Sequence, residues 1–173
     1  MPSRYAYAQV KVGILSDTHD RFTTALAAVK MLRQAGAQHL IHCGDVGGTN
    51  MLDALVGTPA AFVFGNTDYE RDELRNYAAI LGIKCLGHYG VIELAGKRLA
   101  VTHGDDDALL ARLKRPGQPI DYLFTGHTHV RHDHRIGTLR CINPGALHRA
   151  AIKSVATLDL LTDELTFLSL PEA

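Results

Sequence analysis

Seven side chains of types that commonly bind metal ions follow apolar, strand-like stretches of this sequence. They are carboxylates, imidazoles and one amide: Asp17, His19, Asp45, Asn66, His103, His127 and His129. Oxygen and nitrogen ligands without a thiolate suit a pair of borderline or hard divalent ions better than a structural zinc site. The pattern therefore predicts a two-metal hydrolytic centre.

The stretches between these residues predict strands that alternate with helices in the first half of the chain. The strands are predicted at residues 10–15, 39–42 and 60–64, and the helices at residues 22–35, 49–56 and 70–80. Strands dominate thereafter, at residues 91–94, 98–102, 122–125, 131–136, 138–142, 154–160 and 165–170, with one helix at residues 106–114. Aspartates at residues 105–107 mark the start of that helix, where two of these carboxylates are expected to cap free N–H groups, while Asp105 is also a candidate substrate contact. Such an order implies two sheets that share a core, with helices outside, in the α/β class.

The spacing of the seven residues explains how separate loops can build one site. Asp17 and His19, like His127 and His129, are two residues apart at the end of a strand, which can put both side chains on one side. In α/β sheets ligands gather outside the carboxyl ends of strands, where these residues lie. Neighbouring glycines leave room for sharp turns and for close approach of the backbone to a phosphate group. We therefore expect the loops to converge.

The motifs, in this order, resemble those of the calcineurin-like metallophosphoesterases. They read Asp17-x-His19, Gly44-Asp45, Gly65-Asn66, His103-Gly104 and Gly126-His127-Thr128-His129. The short length, the sequence Gly-Asn-Thr-Asp and the Asn-Pro-Gly turn at residues 143–145 resemble the small bacterial and archaeal phosphodiesterase branch, which is also similar to the retromer subunit Vps29. The resemblance covers residues 11–146. It implies a four-layer α/β/β/α sandwich of two mixed sheets flanked by helices.

The resemblance also implies how the seven side chains divide between two divalent metal ions. The first ion would be held by Asp17, His19, Asp45 and His129, and the second by Asp45, Asn66, His103 and His127. Asp45 would bridge the ions, and Asp45, Asn66 and His103 would take part in catalysis. A hydroxide that bridges the two ions would attack phosphorus directly. Mn²⁺ is the expected metal, and Ni²⁺, Fe²⁺, Co²⁺ and Zn²⁺ suit the same ligands.

Three positions depart from the motifs of related enzymes. Many phosphatases have histidine where this chain has Thr67, which cannot supply an imidazolium to the leaving group. The phosphodiesterase branch also lacks that histidine, so Thr67 favours a small or nucleotide-like phosphodiester as substrate. Asp105 and Ala146 stand where branch members often have histidine and serine, and these changes leave the ligand set intact. A phosphomonoesterase and a non-catalytic Vps29-like scaffold are the alternatives.

Several polar residues near the motifs keep two interpretations. His132 and His134 could form an added metal site, but a solvated strand face is favoured. Asp68 either orients a ligand imidazole or caps the following helix. Cys43 is expected to be a buried apolar residue rather than a soft metal ligand. Asn143 is a candidate substrate contact, or only part of a turn.

Composition limits the other function classes. The chain has 173 residues, 46% hydrophobic and 21% charged, which predicts one globular domain over residues 1–173. A net charge of +0 does not favour a nucleic-acid polymer as partner, which leaves a small-molecule phosphoester. No apolar run predicts a membrane span, residues 1–9 lack the core of a signal peptide, and the 3 cysteines form no disulfide pattern. We therefore expect a cytoplasmic protein, and a homo-oligomer is compatible with the sequence.

Overall fold

The computed structural model describes residues 9–172, so the expectation about a signal peptide falls outside it except at Gln9. The strands are β1 (Lys11–Leu15), β2 (His39–His42), β3 (Ala60–Phe62), β4 (Lys84–Cys85), β5 (Tyr89–Leu94), β6 (Lys97–Thr102), β7 (Tyr122–Phe124), β8 (Arg131–Ile136), β9 (Leu139–Pro144), β10 (Ser154–Asp159) and β11 (Leu165–Ser169). The helices are α1 (Phe22–Gln34), α2 (Asn50–Asp53), α3 (Arg71–Leu81) and α4 (Asp107–Leu113). None of these helices has the length and hydrophobicity needed to cross a bilayer.

Two sheets each combine parallel and antiparallel strands. In the first sheet the order is β11-β10-β1-β2-β3-β4, with β1 to β4 parallel and β10 antiparallel to β1 and β11. In the second sheet the order is β5-β6-β7-β9-β8. Strands β6, β7 and β9 are parallel, and the edge strands β5 and β8 pair with β6 and β9 in the antiparallel direction. Because parallel strands end at the same edge, the loops that follow them form a rim on each sheet.

Three groups of buried apolar side chains separate four layers. Helices α1, α2 and α3 contribute Leu32, Leu52 and Leu74 to a group that packs against the first sheet. Ile14 and Phe124 belong to a second group, which fills the space between the sheets. The third group lies between α4 and the outer face of the second sheet. This arrangement confirms the predicted α/β/β/α sandwich of two mixed sheets.

Local sequence explains where α1 and α4 form. The buried residues of α1 are Ala25, Ala28, Val29 and Leu32, at the three- and four-residue spacing of an amphipathic helix. Helix α4 begins after Asp106, whose carboxylate accepts a hydrogen bond from the Leu109 N–H at 2.9 Å. Asp106 is therefore a capping residue, as the sequence predicts for this run of aspartates.

The predicted and observed elements differ where pairing rather than local pattern decides. Strand β4 is not predicted, because two residues carry no alternation of their own and extend only by pairing with β3. The helix predicted at residues 49–56 shortens to α2. After Asp53 the chain continues up to Gly57 in the tighter winding of a 3₁₀-helix, in which each N–H bonds the carbonyl three residues earlier. Leu55 N bonds Leu52 O, and Val56 N bonds Asp53 O.

The core between the sheets can be tested with Phe124→Ala. Phe124 is fully buried, so the substitution should lower the free energy of unfolding by about 3–5 kcal/mol through lost burial and a cavity. The control is Phe22→Ala, at a phenylalanine that is 37% exposed, which should change it by less than about 1 kcal/mol. Chemical denaturation measures both, and equal losses would contradict the assigned layers.

Candidate metal centre

All seven predicted ligands lie together at the rim where the two sheets face each other. In chain order, they are Asp17 and His19 after β1, Asp45 after β2, Asn66 after β3, His103 after β6, and His127 and His129 after β7. The first four come from loops of the first sheet, and the other three come from the second. The strand topology therefore brings residues more than a hundred positions apart into contact, as the spacing of the motifs predicts.

The first group of contacts surrounds Asp17. Its Oδ1 lies 3.0 Å from His129 Nε2 and 3.8 Å from His19 Nε2. The ligand atoms of these three residues are close enough to one another to hold a metal ion. His19 Nε2 also lies 3.3 Å from Asp45 Oδ2, which adds a second carboxylate to this half of the site.

The second group of contacts surrounds His103. Its Nε2 lies 3.2 Å from Asp45 Oδ2 and 3.0 Å from Asn66 Oδ1, and the same Asn66 oxygen lies 3.1 Å from His127 Nδ1. Asp45 Oδ2 is therefore near imidazoles of both groups, His19 and His103, where a bridging ligand belongs. The ligand atoms of Asp17, Asp45 and His103 are also close enough to one another to hold a metal ion.

One nitrogen of the centre lacks a hydrogen bond. His19 Nε2 is buried and has no hydrogen-bond partner among residues 9–172, although two carboxylates lie nearby. A buried polar atom without a partner is unfavourable by about 1–3 kcal/mol. A divalent cation would satisfy this nitrogen and the surrounding carboxylate oxygens together, so the residues present fit the metal pair that the sequence predicts.

Backbone carbonyls fix the orientation of two candidate imidazole ligands. His103 Nδ1 lies 2.7 Å from Cys43 O, and His129 Nδ1 lies 3.3 Å from Arg149 O. Since a carbonyl only accepts, each Nδ1 carries the hydrogen and donates it. The opposite nitrogen of each ring, Nε2, is left to face the carboxylates of the centre, which is how metal-binding histidines are usually held.

Charge stabilises the ionised carboxylates although they are buried. Burial favours the neutral acid, but hydrogen bonds from His103 and the Thr67 N–H outweigh it and lower the pKa of Asp45 well below its usual range. Burial also disfavours a charged His103, but Asp45 and Asp17 outweigh it and raise the pKa of His103 to about 9. Without a metal, a charged His103 therefore balances these carboxylates at neutral pH, and the nearby Asp17 carboxylate raises the pKa of His19 as well.

Comparison with known proteins identifies the family. Residues 10–163 match the calcineurin-like phosphoesterase superfamily domain. The chain belongs to the calcineurin-like phosphoesterase superfamily.

The chain is similar in sequence to an archaeal protein and similar in fold to archaeal and eukaryotic structures. The chain is 26% identical to phosphodiesterase MJ0936 of Methanocaldococcus jannaschii, over 87% of this chain and 93% of that protein. A solved archaeal phosphodiesterase superimposes with a TM-score of 0.85 at 25% identity, over 93% of this chain and all of the other. Zinc-bound Vps29 of Entamoeba histolytica superimposes with a TM-score of 0.60 at 18% identity, covering 93% and 98%, which shows the same fold.

In this member of the superfamily, left-handed backbone conformations aim most of the candidate ligands. Positive φ angles occur at Asp17 (56°), His19 (43°), Asp45 (54°), His127 (68°) and His129 (60°). Residues with a side chain rarely adopt this conformation, and it is concentrated at functional sites. Hydrogen bonds from Asp17 N to Gly44 O and from His19 N to Asp45 O hold the first two loops against each other.

Two glycines allow these loops to approach the carboxylates. A Cβ atom at Gly65 would lie 2.1 Å from Asp45 Oδ1, and one at Gly126 would lie 1.9 Å from Ser16 Oγ. Any side chain at either position would therefore push a carboxylate or its hydrogen-bond donor away. This agrees with the predicted role of glycine in bringing backbone close to the site.

Asp68 has neither of the roles considered from the sequence. It does not cap α3, whose first residue has no side-chain cap, and the structure records no hydrogen bond between Asp68 and a candidate ligand imidazole. Instead its carboxylate accepts hydrogen bonds from the backbone N–H groups of Val46 (3.1 Å), Gly47 (3.0 Å) and Gly65 (2.8 Å). Asp68 therefore ties the loop of Asp45 to the loop of Asn66.

His42 and Thr18 form a support that the sequence does not reveal. Burial lowers the pKa of His42 to about 4, so the ring is neutral. Its Nδ1 accepts from the Gly44 N–H at 3.2 Å, its Nε2 lies 3.0 Å from Thr18 Oγ1, and that hydroxyl donates to Val46 O at 2.7 Å. The chain of bonds joins two loops beneath the ligands. No spacing rule marks such a contact.

Cys43 and Asn143 have structural roles. Cys43 is buried among the apolar side chains between the sheets, as predicted, and burial raises the pKa of its thiol, which disfavours a thiolate ligand. Asn143 donates to Gly126 O at 2.7 Å and to Thr128 Oγ1 at 3.1 Å, and accepts from Gly145 N. It therefore braces the loop that carries two candidate ligands.

The brace formed by Asp68 can be tested with Asp68→Asn. The amide has nearly the same shape but loses the charge that strengthens three hydrogen bonds, so the free energy of unfolding should fall by about 1–3 kcal/mol, with weaker metal binding. Asp72→Asn is the control, because the Asp72 side chain is 93% exposed. Denaturation and metal titration measure the effects, and an unchanged Asp68→Asn protein would disprove the brace.

Metal affinity should increase with pH between 6.5 and about 9. A metal ion must displace the proton held by His103 in this interval, while Asp17 and Asp45, whose pKa values are lowered, are already ionised. Releasing one proton strengthens binding by up to about tenfold per pH unit. Isothermal titration at several pH values tests this, with His103→Asn expected to show a shallower dependence. A constant affinity in the unmodified protein would be the contrary result.

Proposed function

We propose that this metallophosphoesterase is a phosphodiesterase that hydrolyses a small or nucleotide-like phosphodiester with two divalent ions, Mn²⁺ being the first choice. The observation that carries this proposal is the convergence of seven oxygen- and nitrogen-bearing side chains at one rim, together with His19 Nε2, which belongs to one of them and is buried without a hydrogen-bond partner in the described chain. Ordinary hydrogen bonding does not complete this cluster, whereas cations would.

The proposed ligand sets follow the two groups of contacts. Asp17, His19, Asp45 and His129 would hold the first ion, and Asp45, Asn66, His103 and His127 the second. When bound, such a pair supplies a hydroxide nucleophile near neutral pH and a positive charge that stabilises the phosphoryl group. In the proposed mechanism Asp45 would serve both ions, while Asp45, Asn66 and His103 would also position the reacting groups.

The chain's own hydrogen bonds prepare Asp45 and Asn66 for these roles. The Thr67 N–H donates to Asp45 Oδ1 at 2.9 Å, which leaves Oδ2 directed toward His19 and His103. Asn66 presents its oxygen to two imidazole rings. Thr67 thus contributes its backbone N–H rather than a side-chain acid. In the proposed mechanism the leaving group would therefore receive its proton from water.

Two observations favour a diester over the alternatives. The relative MJ0936 is named a phosphodiesterase, and it aligns over 87% of this chain. Thr67 lacks the imidazole that many phosphatases have at this position. A non-catalytic scaffold is the second candidate, since the fold resembles that of Vps29, but all seven ligand positions are filled here.

A cytoplasmic location is also part of the proposal. It is supported by Cys43, Cys85 and Cys141, which are free thiols, as is usual in a reducing compartment.

The experiment is to strip the protein of metal, reload it with Mn²⁺, and compare hydrolysis of bis-p-nitrophenyl phosphate with that of p-nitrophenyl phosphate. The diester should be cleaved faster, and Asp45→Ala should reduce its kcat/KM by at least about a thousandfold because both ions lose a ligand. Asp72→Ala, at an exposed carboxylate, should leave it unchanged. Faster cleavage of the monoester would indicate a phosphomonoesterase, and no metal-dependent cleavage would favour the scaffold.

A further inference from the structure

A groove of about 370 Å³ lies on the outer face of the second sheet, next to the candidate metal centre. Helix α4 covers only part of that face. Leu110 of α4 and Lys114, which follows the last residue of that helix, form one wall, and Leu123 of β7 and Cys141 of β9 lie among the apolar residues opposite. We call this cavity the outer groove.

The outer groove shares its rim with the loops that carry the candidate ligands. Gly104, which follows His103, lines it, and so do Gly126 and Thr128, which flank His127. His127 itself is exposed between these two residues. A molecule whose phosphate group lay at the metal centre would therefore have a direct path for one of its substituents across His127 and into the groove.

Two imidazoles from β8 complete the groove. His132 and His134 point to the same face of this edge strand, with ring centroids 4.3 Å apart. His132 is exposed, as a solvated strand face predicts, whereas His134 is partly buried and its Nδ1 is fully buried. Neither belongs to a group of three potential metal ligands in the described part of the chain, so an added metal site is not supported.

Two polar groups of the groove, on His134 and Lys114, are without partners in the described part of the chain. His134 Nδ1 is buried without a hydrogen-bond partner, and Lys114 has no carboxylate within ion-pair distance in the range 9–172. No Asp or Glu lines the groove, and Asp133, between the two histidines, pairs with Arg140 instead. The groove thus combines apolar walls with free cationic and imidazole groups, which suits an apolar ring that carries a hydrogen-bond acceptor or negative charge.

We propose that the outer groove binds one ester arm of the substrate, an aromatic or nucleoside-like ring with an acceptor substituent, while the phosphate lies at the metal centre. This inference rests on the proposed phosphodiesterase function. The ring packs between α4 and the outer face of the sheet, and Lys114 and His134 contact its acceptor. A phosphomonoester of a small alcohol would leave the groove empty, so the groove explains a preference for diesters with a large arm.

The kinetic test uses a substitution that fills the groove. Leu110→Trp should raise the KM for bis-p-nitrophenyl phosphate by at least about tenfold, because the aromatic arm loses its apolar contact, and it should change kcat little because the reacting atoms are untouched. Ala111→Trp places the same ring on the exposed side of α4 and should leave KM unchanged.

A second substitution removes the positive charge of the groove. Lys114→Met should raise KM without altering packing, whereas Lys30→Met on α1 should leave KM unchanged. Equal KM values for Leu110→Trp, Lys114→Met and their controls would overturn the proposal.

A binding measurement separates this proposal from the proposed function. In the full chain stripped of metal, bis-p-nitrophenyl phosphate should shift the imidazole NMR signals of His132 and His134. Dimethyl phosphate, which has no ring, should not. The shifts should disappear in Leu110→Trp and persist in Ala111→Trp. Shifts without metal-dependent hydrolysis would support the groove and reject the phosphodiesterase, whereas hydrolysis without shifts would support the enzyme and reject the groove.

Discussion

Two buried carboxylates, Asp17 and Asp45, must be held ionised between the sheets, and much of the surrounding structure serves this requirement. Their exposed fractions are 0% and 3%, and an uncompensated charge at such a depth is strongly unfavourable. Asp17 accepts hydrogen bonds from Ser16 Oγ and the His127 N–H, and Asp45 from the Thr67 N–H. Imidazoles supply the remaining contacts, and a divalent cation neutralises the charge more completely than they do.

The same requirement explains the unusual backbone around the site. Strands deliver each loop to the rim, but the last residues turn into left-handed conformations so that their side chains point inward. This strain persists only because the loops are tied to one another. Asp68 ties the loop of Asp45 to the loop of Asn66, and the pair His42 and Thr18 ties the loop after β1 to the loop of Asp45. The sandwich beneath therefore positions candidate ligands that come from both sheets.

The sequence predicts the parts of this arrangement that depend on local pattern. Apolar alternation places most strands and helices, and ligand types at strand ends identify all seven residues that the structure brings together. The parts that depend on tertiary contact escape prediction. Strand β4 exists only through pairing with β3. Asp68 is at the expected place for a cap, but its carboxylate bonds a loop that lies far away in sequence. The partial burial of His134 depends on tertiary packing around β8 that the alternation of this strand does not show.

The proposed dinuclear centre requires one carboxylate, Asp45, to be shared by two metal ions. Electron paramagnetic resonance of protein loaded to saturation with Mn²⁺ tests this directly, because two ions that share a bridging ligand couple magnetically. The spectrum should be that of coupled Mn²⁺ pairs, and Asp45→Ala should convert it to that of isolated ions or abolish it. A spectrum of isolated Mn²⁺ in the unmodified, saturated protein would rule out a shared carboxylate.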